Sequence, residues 1–246
     1  MLHLRANGLK PQMISLDDYY HGRANTPIDE NGKPNYEDID AIDYPLFNCH
    51  LLSLIRGETV TVPRFDFTTA ERAEKGRTIS LSEGSVLLVE GIHALNEKLT
   101  RGIPASYFYR VYCSALTVLC FDRYNPISPT DTRLIRRIIR DSKFRNTDAA
   151  GTLSMWGDVQ KGEIKNIFPY EETADVIFNS SLSYEFAVYR EAAEPLLRAA
   201  LAHKEHRDTA ERLLEFISFF EPVSHALVPG TSILREFIGG SVLSKI

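Results

Sequence analysis

Apolar positions change period several times along the chain, and each change marks an element. Residues 2–8 predict the tail of a helix that ends near Gly8. Met13-Ile14-Ser15-Leu16 is a short apolar run closed by Asp17-Asp18, which predicts a strand. Residues 21–37, with Gly22, Asn25, Pro27, Asn31, Gly32 and Pro34, predict a polar loop rich in turn residues. Ile42, Leu46, Leu51, Leu52 and Ile55 recur at helical spacing and predict a helix over Ile39–Arg56, stopped before Gly57. Thr59–Phe67 alternates as a strand does, and Arg77–Leu81 is expected to pair back on it. Ser85-Val86-Leu87-Leu88-Val89 is a continuous apolar run before Glu90-Gly91, the pattern of a parallel strand buried on both faces. Tyr107–Cys113 and Ala174–Asn179 predict two further strands. Thr132–Phe144 predicts a cationic helix, and further helices are expected at about 184–203 and 208–220, with a short one near 232–238.

Strands alternating with helices predict an α/β fold with a doubly wound, mostly parallel sheet. No repeat, low-complexity tract or linker divides the 246 residues. The expectation is one domain over 1–246, with a helical C-terminal part from about residue 184.

Composition narrows the function. A net charge of -5 disfavours nucleic acid and anionic membrane as partners, so any anion site must be a local cluster. Three scattered cysteines, Cys49, Cys113 and Cys120, fit a reducing cytoplasm better than a disulfide framework. No apolar run is long enough to be a membrane helix, and the first residues do not resemble a signal peptide.

In open parallel sheets, ligands sit beyond the carboxyl ends of the strands. Two predicted strands end there in acids, Asp17 and Glu90. A carboxylate at that rim can take a proton from a substrate hydroxyl or hold a magnesium ion directly or through water. Either acid alone is an ordinary strand ending, but together they point to a site. Tyr19, Tyr20 and the Phe65-Asp66-Phe67 segment are candidates to wall a pocket beside them.

The sharpest local signal is the helix from Asp131 to Asp141. Arg133, Arg136, Arg137 and Arg140 fall at i, i+3, i+4 and i+7, with Leu134, Ile135, Ile138 and Ile139 on the other face. Lys143 and Arg145 extend the charge. Arginine forks match phosphate oxygens, so the stripe is expected to bind an anion unless Asp131 and Asp141 neutralise it.

At this point four segments resemble the uridine kinase family of P-loop phosphotransferases: Ser15-Leu16-Asp17-Asp18-Tyr19-Tyr20, Val62-Pro63-Arg64-Phe65-Asp66-Phe67, Leu88-Val89-Glu90-Gly91-Ile92 and Asp131-Thr132-Arg133-Leu134-Ile135-Arg136-Arg137. They stand in the family's order, and the likeness covers nearly the whole chain. Lys165-Asn166-Ile167-Phe168-Pro169 and Ser232–Gly240 look like a bacterial subgroup whose kinase domain follows a threonyl-tRNA-synthetase-like region. The resemblance implies an ATP- and magnesium-dependent kinase acting on a nucleoside-like small molecule. Asp17 would be the general base for the 5′-hydroxyl, Glu90 would hold magnesium through water, and Arg136 would act in catalysis. Tyr20, Tyr36 and Phe65 would line the nucleoside pocket, and Glu37 and Arg133 would meet the ribose hydroxyls. Arg137, Arg140 and Arg145 would form a lid over the phosphates. A homo-oligomer is compatible with the sequence.

Three departures qualify the resemblance. The family often has Asp where Glu37 stands. Thr68-Thr69-Ala70 replaces a base-contacting histidine, which leaves the nucleobase open. The largest departure is the absence of the first strand and of the G-x-x-x-x-G-K-[ST] loop that cradles phosphates. The chain is therefore expected to be N-terminally truncated, starting inside the helix after that loop, with turnover impaired or lost. The only G-x-x-x-x-G spacing, Gly157 to Gly162, continues as Glu163-Ile164 and is read as chance. A non-catalytic binding module and a phosphoribulokinase- or pantothenate-kinase-like relative are the competing readings.

Overall fold

A computed structural model of the chain describes residues 1–30, 32–116, 119–120 and 123–243; Asn31 of the predicted loop lies outside them. Along the chain come α1 (Leu2–Ala6), β1 (Lys10–Ser15), α2 (Tyr44–Ile55), β2 (Val60–Val62), β3 (Phe65–Asp66), β4 (Glu71–Arg72), β5 (Arg77–Ile79), β6 (Ser85–Glu90), β7 (Val111–Ser114), α3 (Pro129–Phe144), α4 (Ala149–Asn166), β8 (Val176–Asn179), α5 (Glu185–Ala200), α6 (Arg207–Ser218) and α7 (Arg235–Ile238). The protein is α/β, and two compact units divide it, each assembled from two segments. The first is Met1–Tyr112 with Gln160–Val176, the second Cys113–Val159 with Ile177–Ile246. Each unit has its own apolar core.

In the first unit, β1 and β6 pair in parallel, from Lys10 opposite Ser85 to Ser15 opposite Glu90. Ile14, Leu16 and Tyr19 are fully buried against Phe47, Leu51 and Leu54 of α2. Burial of such side chains contributes about 1.5–3 kcal/mol each relative to exposure. α2 starts where Asp43 accepts the Leu46 N–H at 3.1 Å, with Pro45 in its first turn. The predicted hairpin forms, Val60 opposite Ile79 and Val62 opposite Arg77. The strand expected over Thr59–Phe67 breaks in two, because Pro63 has no N–H to give a ladder. Its second half, β3, pairs with β4 instead.

The expectation that β6 is buried on both faces is corrected. Val86 to Val89 are half-buried. Among the described residues β6 pairs only with β1, and only Leu87 and Val89 of it pack on the core. The described strands pair two by two, two of these pairs antiparallel hairpins, rather than forming one continuous sheet. Gly91 then carries the chain away from β6 at φ +150°; a Cβ there would lie 2.7 Å from Leu16 Cβ. A glycine is what lets the two rim loops touch.

The second unit is mainly helical. Ser128 caps α3 by accepting the Asp131 N–H at 3.4 Å. Leu134, Ile135, Ile138 and Ile139 are buried with Phe186, Tyr189, Leu197, Leu213 and Ile217. The boundary between units falls inside α4 and also crosses the β7–β8 pair. That pair is bracketed by the Asp175 N–H to Arg110 O bond at 2.9 Å and the Ser180 N–H to Ser114 O bond at 2.8 Å, so the strands run the same way. Among the described residues, no helix is long and apolar enough to cross a membrane.

Candidate functional site

The two rim acids of the first unit come together through register. Ser15 lies opposite Glu90, and Asp17 follows two residues later in a tight turn whose N–H donates to Ser15 Oγ at 3.3 Å. Asp17 is half-buried and Glu90 exposed. The turn is held from several sides. Asp18 accepts the Phe65 N–H at 3.3 Å. Arg72 donates from Nε to Tyr20 O and from Nη2 to Tyr19 O, both at 3.0 Å, and its Nη2 lies 3.1 Å from Asp43 Oδ2. Sequence reasoning missed Arg72, because its partners Tyr19, Tyr20 and Asp43 lie 29 or more positions away. Below, the Tyr19 hydroxyl meets His50 Nδ1 at 2.9 Å. Burial pushes the Tyr19 hydroxyl well above its usual range and lowers His50.

The expected pocket aromatics also converge. The Tyr20 ring centroid is 5.8 Å from Tyr36 and 5.7 Å from Phe65, and Phe65 is 5.1 Å from Phe67. The Tyr20 hydroxyl donates to Tyr36 O at 3.2 Å. Phe67 is two-thirds exposed, so this aromatic surface opens to solvent. The loop of Tyr36 and Glu37 continues into Asp38, Asp40 and Asp43. Lys165 lies 2.7 Å from Asp38 and Lys98 2.9 Å from Asp40. Burial works to raise the Asp38 carboxyl, but its bonds from Lys165 and the Asp40 N–H hold it below the usual range. Behind it His93 is fully buried; neither ring nitrogen makes a hydrogen bond, and burial lowers its pKa to about 4 against the pull of nearby Asp38.

In the second unit the arginines do not form the expected outward stripe. Arg136 is buried. Its Nε donates to Glu185 Oε2 at 2.8 Å, its Nη2 stands 2.6 Å from the same oxygen, and its remaining donors reach Ser180 Oγ at 3.0 Å and Ser180 O at 2.8 Å. The guanidinium also lies 5.2 Å from the Phe237 ring. A helix face reckoned by charge alone put Arg136 outside; an acid on α5, 49 positions later, draws it in. Arg137, Arg140 and Arg145 gather around Asp141 at 3.3, 3.9 and 3.4 Å. Arg133 is half-buried on the same side of the helix. Asp131 is taken by Arg212 at 2.5 and 3.0 Å, so it does not neutralise the cluster. Arg140 also stands 3.5 Å from Glu236, so three arginines share two carboxylates and leave a local positive excess. Arg140 is pushed below its usual value by burial first and then by Arg145. Gly157 and Gly162 both lie inside α4, where the backbone N–H groups serve the helix and cannot cradle phosphate.

Residues 12–122 match the phosphoribulokinase / uridine kinase family. Over those residues the chain is similar to that family. The match covers Asp17, Tyr20, Tyr36, Glu37, Phe65 and Glu90, and stops before α3. The chain is 26% identical over 166 residues to a uridine kinase of Deinococcus deserti, covering 67% of this chain and 72% of that one. It is 27% identical over 178 residues to a uridine kinase of Staphylococcus haemolyticus, covering 72% and 77%. The fold aligns with a candidate fructose transport system kinase from Silicibacter sp. TM1040 at a TM-score of 0.51 and 12% identity, covering 72% of this chain and 79% of that one. That likeness bears on the fold alone, which is α/β.

Proposed function

We propose that the first unit is the acceptor side of an ATP-dependent nucleoside kinase that transfers a γ-phosphate to the 5′-hydroxyl of a uridine-like nucleoside. The observation that carries this reading is the Ser15–Glu90 register, which brings Asp17 and Glu90 to one rim with the aromatic cluster on the next turn. Asp17 takes the proton of the acceptor hydroxyl. Tyr20, Tyr36 and Phe65 flank the nucleoside, and Glu37 meets the ribose hydroxyls. Glu90 is an exposed carboxylate at a strand end, which fits a magnesium ion held through water with its other ligands drawn from water and phosphate. Such an ion supplies charge neutralisation at the phosphates. Arg137, Arg140 and Arg145 carry excess positive charge suited to phosphate. Arg136, with its donors committed to Glu185 and Ser180, we assign to the internal ion pair rather than to catalysis.

These 246 residues contain no G-x-x-x-x-G-K-[ST] segment. On this reading they bind the acceptor, while turnover by them alone is impaired. Three free, exposed cysteines suit a reducing cytoplasm. A second reading, a different acceptor as in phosphoribulokinase- or pantothenate-kinase-like enzymes, is favoured by the turn after β3. There Asp66 accepts the Thr68 N–H at 2.8 Å, Ala70 sits at φ +56°, and no histidine is present to read a base.

The test is calorimetric titration of the chain with uridine, other nucleosides, ribulose 5-phosphate, pantothenate and MgATP. One-to-one nucleoside binding that Tyr36→Ala and Phe65→Ala weaken is the expected result. Binding of ribulose 5-phosphate or pantothenate in place of nucleosides selects the second reading. Nucleoside binding in Asp17→Asn and Glu90→Gln that matches the parent, with no transfer by the parent even at millimolar MgATP, leaves a non-catalytic module.

A further inference from the structure

We propose that the end of α4 is the positioning element of the acceptor site: Gly162, Lys165 and Asn166 fix the loop that carries Tyr36 and Glu37 and thereby govern acceptor affinity. The proposal rests on the acceptor reading above and names residues outside the groups that touch the nucleoside there.

The loop over Asn35–Asp38 belongs to no strand or helix, so side chains must hold it. Local bonds shape it: the Glu37 N–H donates to Asn35 Oδ1 at 3.1 Å and the Asp40 N–H to Asp38 Oδ1 at 3.0 Å. Its placement comes from elsewhere. Asn166 is buried, and its Nδ2 donates to Glu37 O at 2.9 Å. Lys165 Nζ stands 2.7 Å from Asp38 Oδ2. A Cβ at position 162 would lie 2.7 Å from Glu37 Cβ, closer than real Cβ atoms come, so the helix needs a glycine there to reach the loop. Positions 162, 165 and 166 are i, i+3 and i+4, one helix face, and all three meet Glu37 or Asp38. His93 is buried beside Asp38 and the Asn166 backbone, on the loop that leaves β6 after Glu90.

The three contacts are unequal. Lys165 is 70% exposed, and an exposed ion pair contributes little. Asn166 makes a buried bond to a backbone carbonyl that a truncated side chain leaves unmet. Gly162 acts by exclusion, since any side chain there displaces the loop bearing Glu37.

The experiment uses the full chain, with uridine affinity by calorimetry and amide hydrogen exchange as parallel readouts. Asn166→Ala is expected to speed exchange over residues 36–40 and weaken uridine roughly tenfold. Gly162→Ala is expected to weaken it at least as much, and Lys165→Met less than about threefold. Asn166→Asp keeps size and shape but cannot donate, so it should behave as Asn166→Ala; restoration by Asp would mean simple space filling and overturn the proposal. Uridine binding within about twofold of the parent in both Asn166→Ala and Gly162→Ala overturns it. So does exchange raised evenly over the first unit, which marks general destabilisation. If the parent chain itself binds no nucleoside, the proposed function fails, and exchange at 36–40 alone decides whether the clamp exists.

Discussion

Replacing Arg136 by alanine distinguishes a catalytic arginine from a structural one. Its guanidinium is buried, spends its donors on Glu185 and Ser180, and leaves a buried carboxylate behind when removed. Glu185 keeps the Leu182 N–H at 3.3 Å, which cannot replace a fork at 2.6 and 2.8 Å. Breaking one side of such a buried pair costs about 3–5 kcal/mol. At about 2–4 °C per kcal/mol for a chain of this length, the melting temperature should fall by roughly 6–20 °C. Removing both charges, as in Arg136→Leu with Glu185→Leu, should recover most of the loss, because the desolvated carboxylate goes too. The assay is a thermal melt followed by circular dichroism, with a double-mutant cycle over the four variants. If Arg136→Ala melts within about 1 °C of the parent while phosphate-ligand binding disappears, the structural assignment is wrong.

Three further outcomes follow from the geometry. His93 is held near pKa 4 in the fold against 6.5 when unfolded, so the folded state binds fewer protons between those values. Stability is therefore full above about pH 6.5 and falls by about 3 kcal/mol as pH drops to 4; denaturant melts of the parent and His93→Leu should differ by that slope, with Asp38 titrating in both. Gly91→Ala forces a side chain into a left-handed φ and against Leu16, and should cost about 2 kcal/mol or more in chemical denaturation. Gly157→Ala meets open space inside α4 and should raise stability by up to about 1 kcal/mol, with MgATP titration unchanged; a loss of nucleotide binding there would restore phosphate-loop meaning to the Gly157–Gly162 spacing.

Much of the first unit was legible because short-range chemistry decides it. The run Met13–Leu16 and the run Ser85–Val89 each end in an acid, and the parallel register places both acids at one rim. The apolar spacing found α2, but the helix starts at Tyr44, where Asp43 caps it, and not at the expected Ile39. What failed to show lies at long range. α4 buries Thr152, Glu163 and Asn166 along with Leu153, Trp156 and Val159, so its inward face is too polar for an apolar period to announce a helix. The face of Arg136 depended on Glu185, which no spacing rule connects to it. The segments Lys165-Asn166 and Asn35-Tyr36-Glu37 could each be noticed in the sequence, but nothing in either says that they touch. Interleaving of the two units is hidden for the same reason: the apolar pattern has no break at Tyr112 or Val159.

The clamp on the acceptor loop also has a consequence in time. Asp38 is separated from Lys165 by 127 positions, and Glu37 from Asn166 by 129. During synthesis the ribosome delivers the rim strands and the aromatic cluster long before it delivers α4. Until residue 166 is free to fold back, the loop between Asn35 and Asp43 is shaped by its local turns and by contacts from earlier in the chain, among them those of Tyr20, Arg72 and Lys98. Closing so long a stretch of chain is slow compared with forming a hairpin such as β2–β5. The nascent first unit should therefore acquire its rim early and its acceptor-binding shape late, in a distinct maturation step that a chain ending before α4 never reaches.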